Sequence, residues 1–208
     1  MIAYETKLNQ DLCWALQEGS MHFEEASAVH RTLRRMVKRL DELGVPYAVA
    51  GGMALFLHGF RRFTEDVNIL VTKDGLRLIH ERLEGLGYVA PFSGSKNLRD
   101  ADSGVRIEFL VTGDYPGDGK PKPVAFPDPA AVGVEKDGVR CLTLPKLIEL
   151  KLASGLTNPL RLKDIADVQE LIRLLKLPAG FADQLDPFVR SKFLELWTVI
   201  QQNPVAEE

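Results

Sequence analysis

The sequence predicts an α/β (α+β) protein in which helices flank a mixed β-sheet and a helical part follows it. Three observations support this class. Short apolar runs at 47–50, 68–71 and 105–111 have the length and composition of buried strands. The segments before and between them repeat apolar residues every three or four positions, and so does the chain after residue 144. Strands that alternate with helices and then give way to helices indicate a mixed sheet covered by helices.

Composition narrows the class of protein. The chain has 208 residues, 45% of them apolar, which is enough for one substantial domain or a domain with a small helical appendage. Its formal net charge of −3 argues against a protein that coats nucleic acid through a broad basic face. No apolar run is long enough to cross a bilayer, and the first residues lack a secretory signal. Cys13 and Cys141 lie far apart and form no paired motif, and two free thiols fit a reducing compartment. Together with the missing apolar run and signal, this predicts a cytoplasmic protein without a membrane partner.

The first long helix is predicted from residue 23 to residue 43, and Gly44 and Pro46 end it. The basic residues on its other faces are interpreted as a solvated surface. Its apolar positions are Phe23, Ala26, Val29, Leu33, Met36, Val37, Leu40 and Leu43.

The central segments alternate between strands and helices. The buried strand 47–50 runs into Gly51–Gly52, a tight turn that opens a short helix at 53–59. A second buried strand, a helix and a third, alternating strand follow at 68–71, 74–86 and 105–111.

The stretch 112–130 is rich in Pro, Gly and Asp, which predicts an irregular loop. Lys120 and Lys122 in this loop could bind a phosphate, and Asp114 could be a metal ligand. The alternative is that the loop is only a proline-stiffened connector. A small hairpin turning at Asp137–Gly138 is expected next. Helices are then predicted at 145–154, 163–175 and 181–200.

These elements divide the chain into three predicted parts. Residues 1–44 form N-terminal helices, 45–143 form the core that contains the sheet, and 144–208 form a helical C-terminal region.

Polar residues gather around the turn at Gly51–Gly52. Glycines allow backbone N–H groups to approach a ligand closely, so this turn has the chemistry of a phosphate-binding corner. Asp66 and Asn68 lie two apart on the next strand, so both side chains point to the same face. Oxygen ligands on one face suit a hard divalent cation such as Mg²⁺.

The segment GGMALFLHGFRRFTEDVN at 51–68 resembles the GG…D-x-D signature of the polymerase-β-like nucleotidyltransferase superfamily. The most similar group is that of the abortive-infection-type nucleotidyltransferase toxins of bacterial toxin–antitoxin pairs. The resemblance implies a nucleotidyltransferase fold in which Gly51 and Gly52 hold the triphosphate. Asp66 matches the first metal-binding carboxylate, Glu108 is the best match for the third, and Asn68 replaces the second aspartate.

A second matching region lies downstream, where LPKLIELKL at 144–152 precedes RLKDIAD at 161–167. The resemblance implies that Lys151 faces the nucleotide phosphates and that Asp164 belongs to the active-site region. Arg62 is a further candidate for contact with the phosphates or the acids.

Each candidate also has a simpler interpretation. The glycines could form only a tight turn, and Arg62 could be a surface charge. Glu108 could form an ion pair with Arg106. Lys151 could lie on a solvated helix face, and Asp164 could cap the helix that follows it.

Asn68 decides what chemistry the site can perform. It offers a neutral carbonyl oxygen in place of a bridging carboxylate, so we expect Mg²⁺ (or Mn²⁺) to bind weakly. The resemblance implies transfer of a nucleoside monophosphate from NTP to a protein or RNA acceptor, by a toxin with a cognate antitoxin. The alternative is a catalytically impaired nucleotide-binding or interaction protein that keeps the fold.

Overall fold

The computed structural model describes residues 2–203 and contains one seven-stranded mixed sheet. The strands lie in the order β3-β4-β5-β2-β1-β7-β6. They are β1 Tyr47–Ala50, β2 Asp66–Val71, β3 Tyr88–Val89, β4 Leu98–Asp100, β5 Arg106–Val111, β6 Gly133–Lys136 and β7 Val139–Leu142.

Strands β1, β2 and β5 form the centre of the sheet. β1 pairs antiparallel with β2, and β2 pairs parallel with β5. Val67 and Ile69 of β2 and Ile107 and Phe109 of β5 are fully buried on one face. Because side chains alternate along a strand, the polar residues between them point to the opposite face.

Helices cover the sheet and then form a group of their own at the C-terminal end. Helix α3 packs against β2 and α5 packs against β5. Two 3₁₀ segments, Pro159–Arg161 and Ala179–Gln184, interrupt the last helices. The helices are α1 Tyr4–Gln10, α2 Leu12–Phe23, α3 Ala28–Glu42, α4 Gly51–Leu57, α5 Lys73–Leu83, α6 Pro129–Val132, α7 Leu144–Thr157, α8 Leu162–Leu174 and α9 Pro187–Gln202.

The described chain contains two compact units. The first comprises residues 2–57, 61–112 and 127–142, and so joins helices α1–α3 to the whole sheet. The second comprises residues 58–60, 113–126 and 143–203. In this second unit α7, α8 and α9 pack against one another, and the rings of Phe181 and Phe193 stack with centroids 5.5 Å apart. The predicted division into residues 1–44, 45–143 and 144–208 stays a prediction.

The mixed sheet flanked by helices confirms the predicted fold class, and the differences lie at element ends. The helix predicted from residue 23 begins instead at Ala28, because Glu25 adopts a positive φ of 60° and Ser27 caps α3 by accepting from the His30 N–H. The predicted helix 181–200 begins instead at Pro187, after a 3₁₀ segment. Strands β3 and β4 were not predicted.

Across residues 2–203, the structure contains no helix with the length and apolar character needed to cross a lipid bilayer.

Candidate nucleotide-binding corner

Strand register brings four polar side chains together on one face of the sheet. Asp66 lies opposite Arg106, and Asn68 lies opposite Glu108, in the parallel pair β2–β5. On its other side Asn68 lies opposite Ala50, the last residue of β1 before the diglycine turn. The predicted convergence of Asp66, Asn68 and Glu108 beside Gly51 is therefore present in the structure.

The diglycine turn has no room for a side chain at either position. Gly51 has a φ of +61°, and a Cβ built on it would lie 1.8 Å from Asn68 Oδ1. A Cβ on Gly52 would lie 2.6 Å from Thr64 Oγ1. Asn68 and Thr64 thus pack directly against the turn, and its predicted role in holding a triphosphate stays a prediction.

Hydrogen bonds hold the two carboxylates in place. Thr64 Oγ1 donates to Asp66 Oδ1 over 3.1 Å. Asn68 Nδ2 donates to Asp66 Oδ2 over 3.4 Å and to Glu108 Oε2 over 3.2 Å. An amide N–H₂ can face two carboxylates in this way, whereas a second aspartate would repel both.

Arg106 supplies the positive charge of this corner. Its Nη2 lies 2.9 Å from Asp66 Oδ2 and 4.0 Å from Glu108 Oε2. Burial disfavours the charge of this guanidinium, but the hydrogen bond and charge of Asp66 outweigh burial, so the pKa of Arg106 is raised. The ion pair between Glu108 and Arg106 that the sequence allowed is therefore present, and the shorter contact is to Asp66. The sequence did not reveal that contact, because it depends on the register of β2 against β5.

The oxygen ligands of this corner are few for the divalent cations that the resemblance implies. Asp66 Oδ2 and Glu108 Oε2 both contact Asn68 Nδ2 and both lie within 4.0 Å of Arg106 Nη2, so the corner offers at most two carboxylates to one cation. Asn68 turns N–H groups toward both acids, so a bridging carboxylate for a second cation is missing. Among residues 2–203, no cluster of three or more His, Cys, Asp or Glu side chains is placed to hold a metal.

Arg62 lies in the segment that leads into β2. Its Nη1 donates to the Phe63 carbonyl over 3.1 Å, and its own carbonyl accepts from His22 Nε2 over 3.1 Å. Its predicted contact with phosphates stays a prediction.

Lys151 and Asp164 lie in the second unit, where they contact each other. Lys151 Nζ donates to Asp164 Oδ1 over 2.8 Å and to Asp167 Oδ2 over 2.7 Å, and the lysine side chain is only 8% exposed. Ser154 Oγ donates to Asp164 Oδ2 over 2.7 Å. The solvated-face interpretation of Lys151 is therefore wrong, and these contacts join α7 to α8.

The carboxyl of Asp164 is charged and paired. Burial would raise its pKa, but the charge and hydrogen bond of Lys151 and the hydrogen bond of Ser154 lower it overall. Asp164 sits in the first turn of α8, and Arg161, not Asp164, is the residue at the N-cap. The nucleotide-binding roles predicted for Lys151 and Asp164 stay predictions.

In the loop 113–126, Lys122 forms contacts within the loop itself. Its Nζ donates to the Pro116 carbonyl over 2.6 Å and pairs with Asp118, and its side chain is 5% exposed. These contacts favour the connector interpretation for Lys122.

A buried pair of histidines lies where α2 meets α3, and no motif in the sequence indicated it. The rings of His22 and His30 are 4.7 Å apart, and Ser27 Oγ contacts Nδ1 of both. Burial, followed by the charge of His22, lowers the pKa of His30 to about 4. Burial likewise lowers the pKa of His22.

Two solved structures are similar to this chain in fold. The crystal structure of ANT(2″)-Ia in complex with adenylyl-2″-tobramycin is 14% identical and matches 79% of this chain and 96% of that chain, with a TM-score of 0.50. An antigenic nucleotidyltransferase-like protein from Paracoccidioides brasiliensis is 16% identical and matches 84% of this chain and 88% of that chain, with a TM-score of 0.51. The sequence matches no protein-family model and no curated protein.

The fold of this chain is therefore the nucleotidyltransferase fold. Within that fold the chain joins an intact diglycine turn to an acid cluster in which one position is an amide and an arginine is the counter-charge.

Proposed function

We propose that the chain binds a nucleoside triphosphate at the corner formed by Gly51, Gly52, Asp66, Asn68 and Glu108, and transfers its nucleoside monophosphate to a protein or RNA acceptor. The observation that carries this proposal is the convergence of the Asp66 and Glu108 carboxylates, with Asn68 between them, beside a turn without side chains. The complex of ANT(2″)-Ia with adenylyl-2″-tobramycin supports a nucleotide-related role for this fold.

Each residue has a defined task in this proposal. Gly51 and Gly52 have no side chains of their own to cover their backbone N–H groups, and these N–H groups are the proposed donors to phosphate oxygens. Thr64 and Asn68 fix the orientation of Asp66, and Asn68 also fixes Glu108. Asp66 and Glu108 would hold one Mg²⁺, which neutralises phosphate charge when bound. Arg62, Lys151 and Asp164 are proposed as further nucleotide-binding residues.

The second candidate is a nucleotide-binding protein with impaired catalysis. A specific observation favours it: the Asn68 amide donates to both carboxylates, and Arg106 already pairs with Asp66. These contacts reduce the attraction of the two acids for a divalent cation, and transfer chemistry depends on that attraction.

A labelling experiment separates the two candidates. Purified protein is incubated with cell extract, Mg²⁺ or Mn²⁺, and each of the four α-labelled nucleoside triphosphates, and label is followed on protein and RNA. Transfer predicts label that falls at least about tenfold in Asp66→Asn and in Glu108→Gln. Asp74→Asn is the control, because the Asp74 side chain is 95% exposed on α5.

Absence of label with either metal, with none gained by Asn68→Asp, would contradict transfer. Saturable binding of a nucleoside triphosphate by calorimetry in the same preparation would then support the second candidate.

A toxin role and a cognate antitoxin remain part of the proposal. They predict that expression of the wild-type chain slows bacterial growth and that Asp66→Asn relieves the effect. Equal growth with both chains would contradict the toxin role and leave the proposed nucleotide binding standing.

A further inference from the structure

The charge balance of the corner disfavours the binding of a bare triphosphate. Asp66 and Glu108 together carry two negative charges, Arg106 carries one positive charge, and Asn68 is neutral. The corner is therefore net negative and repels a polyanion unless a cation accompanies it. One divalent cation reverses the sign of the corner.

Arg106 already occupies the point where the two carboxylates converge. Its Nη2 lies 2.9 Å from Asp66 Oδ2 and 4.0 Å from Glu108 Oε2. The hydrogen bonds and ion pairs described for Arg106 use this nitrogen alone, so its Nη1 and Nε point to no described partner. A guanidinium has five N–H donors, and those directed away from the acids suit phosphate oxygens.

We propose that Arg106 is a built-in cation that takes the place of one of two metal ions, so that the corner accepts a nucleoside triphosphate together with a single divalent cation. Without nucleotide, Arg106 keeps the acids paired and the chain takes up no divalent cation there. With nucleotide, the phosphates supply further ligands and one cation binds with them. This inference rests on the proposed nucleotide binding and specifies the form in which the nucleotide binds.

Four chains test the inference in the absence of nucleotide. Uptake of Mn²⁺ is measured by equilibrium dialysis and by the loss of the electron paramagnetic resonance signal of free Mn²⁺. The wild type and Arg106→Lys keep the positive charge and are expected to take up no Mn²⁺ at this corner. Arg106→Gln frees the two acids and is expected to bind Mn²⁺ at least about tenfold more tightly than the wild type.

Arg77→Gln is the matched control. Arg77 also contacts two carboxylates, Glu81 at 2.9 Å and Asp74 at 4.0 Å, but on the surface of α5 without a neighbouring asparagine. It is expected to behave as the wild type. Circular dichroism of each chain checks that the fold is kept. If Arg106→Gln does not fold, the number of Mn²⁺ ions that the wild type binds with nucleotide decides the test.

A second dialysis adds a non-hydrolysable analogue of each nucleoside triphosphate. The wild type is expected to bind one Mn²⁺ per bound nucleotide. When a chelator removes Mn²⁺, the wild type is expected to bind no nucleotide. Two Mn²⁺ per nucleotide, or Mn²⁺ bound by the wild type alone as tightly as by Arg106→Gln, would overturn the built-in cation. Failure of every chain to bind nucleotide would overturn the proposed function, while the nucleotide-free Mn²⁺ data would still decide the role of Arg106.

Discussion

At the scale of single residues, Asn68 links three parts of the corner. Its Nδ2 faces both acids, and its Oδ1 faces the backbone of Gly51. An aspartate at this position would place three carboxylates side by side against one guanidinium. The amide is thus matched to the metal-free corner, whereas a carboxylate would require bound cations.

Asn68→Asp is expected to lower the free energy of unfolding by about 1–3 kcal/mol in the presence of a chelator, because two hydrogen bonds become repulsive contacts. Added Mn²⁺ is expected to restore most of that loss. Urea unfolding with and without Mn²⁺ measures both effects. Asn9→Asp, at an exposed position, is the control for the added charge. Equal stability of Asn68→Asp and the wild type in chelator would contradict the assigned contacts.

Gly51→Ala tests the shape of the turn. The positive φ costs about 1–2 kcal/mol for an alanine, and contact with Asn68 adds to this cost. Gly44→Ala is a matched control, because Gly44 has a φ of +64° and open space around its Cβ position. Thermal unfolding should show a larger loss at Gly51 than at Gly44. Equal losses would mean that Asn68 moves away freely.

At the scale of elements, the contact between α2 and α3 contains the buried histidine pair. His30 is 4% exposed, and its Nε2 has no hydrogen-bond partner among the described residues. A proton on this nitrogen would therefore have no counter-charge or acceptor.

The histidine pair predicts a loss of stability in mild acid. An unfolded histidine binds its proton near pH 6.5, whereas folded His30 does so only near pH 4. As the pH falls between these values, the unfolded state gains protons that the folded state does not. Stability is therefore complete above pH 6.5 and falls by up to about 3 kcal/mol towards pH 4. Urea unfolding from pH 7 to 4.5 should show this slope, and a parallel slope in His30→Phe would contradict it.

Helices α7 and α8 are joined by the buried cation of Lys151 and by two carboxylates, of which Asp167 is buried and Asp164 is partly buried. Lys151→Met leaves Asp164 and Asp167 without their shared partner, and removal of one partner from a buried ion pair costs about 3–5 kcal/mol. The triple change Lys151→Met, Asp164→Asn and Asp167→Asn removes all three charges and should recover most of the loss. Urea unfolding measures both chains. An unchanged unfolding midpoint in Lys151→Met would contradict a structural role for this lysine.

Much of the fold could be predicted because its signals are local. The strand at 47–50 and the hairpin turn at Asp137–Gly138 are specified by short apolar runs and turn residues. Strands β3 and β4 are two and three residues long at the edge of the sheet, too short to give a period. The residue at which a helix starts depended on a side-chain cap at Ser27 that periodicity does not show.

The candidate site could be predicted only in part for a related reason. That Asp66 and Asn68 share a face follows from strand alternation alone. That Arg106 reaches Asp66 depends on how β2 pairs with β5, and a shift by one residue would send these side chains to opposite faces. Long-range register is a property of the assembled sheet, so the sequence offered Arg106 only as a partner of Glu108.

At the scale of the whole molecule, the fold places an acid cluster and a diglycine turn at the same position of one sheet. The nucleotidyltransferase fold alone does not specify a reaction, because function belongs to the site. Here the site differs from a three-carboxylate arrangement by one amide and one arginine. We propose that this corner receives a triphosphate despite the amide and the arginine.

The most direct test is a crystal structure of the chain soaked with a non-hydrolysable nucleoside triphosphate and Mn²⁺. We expect the triphosphate against Gly51 and Gly52, one anomalous Mn²⁺ peak beside Asp66 and Glu108, and Arg106 still paired with Asp66. A triphosphate bound elsewhere, with this corner closed to it, would contradict the account.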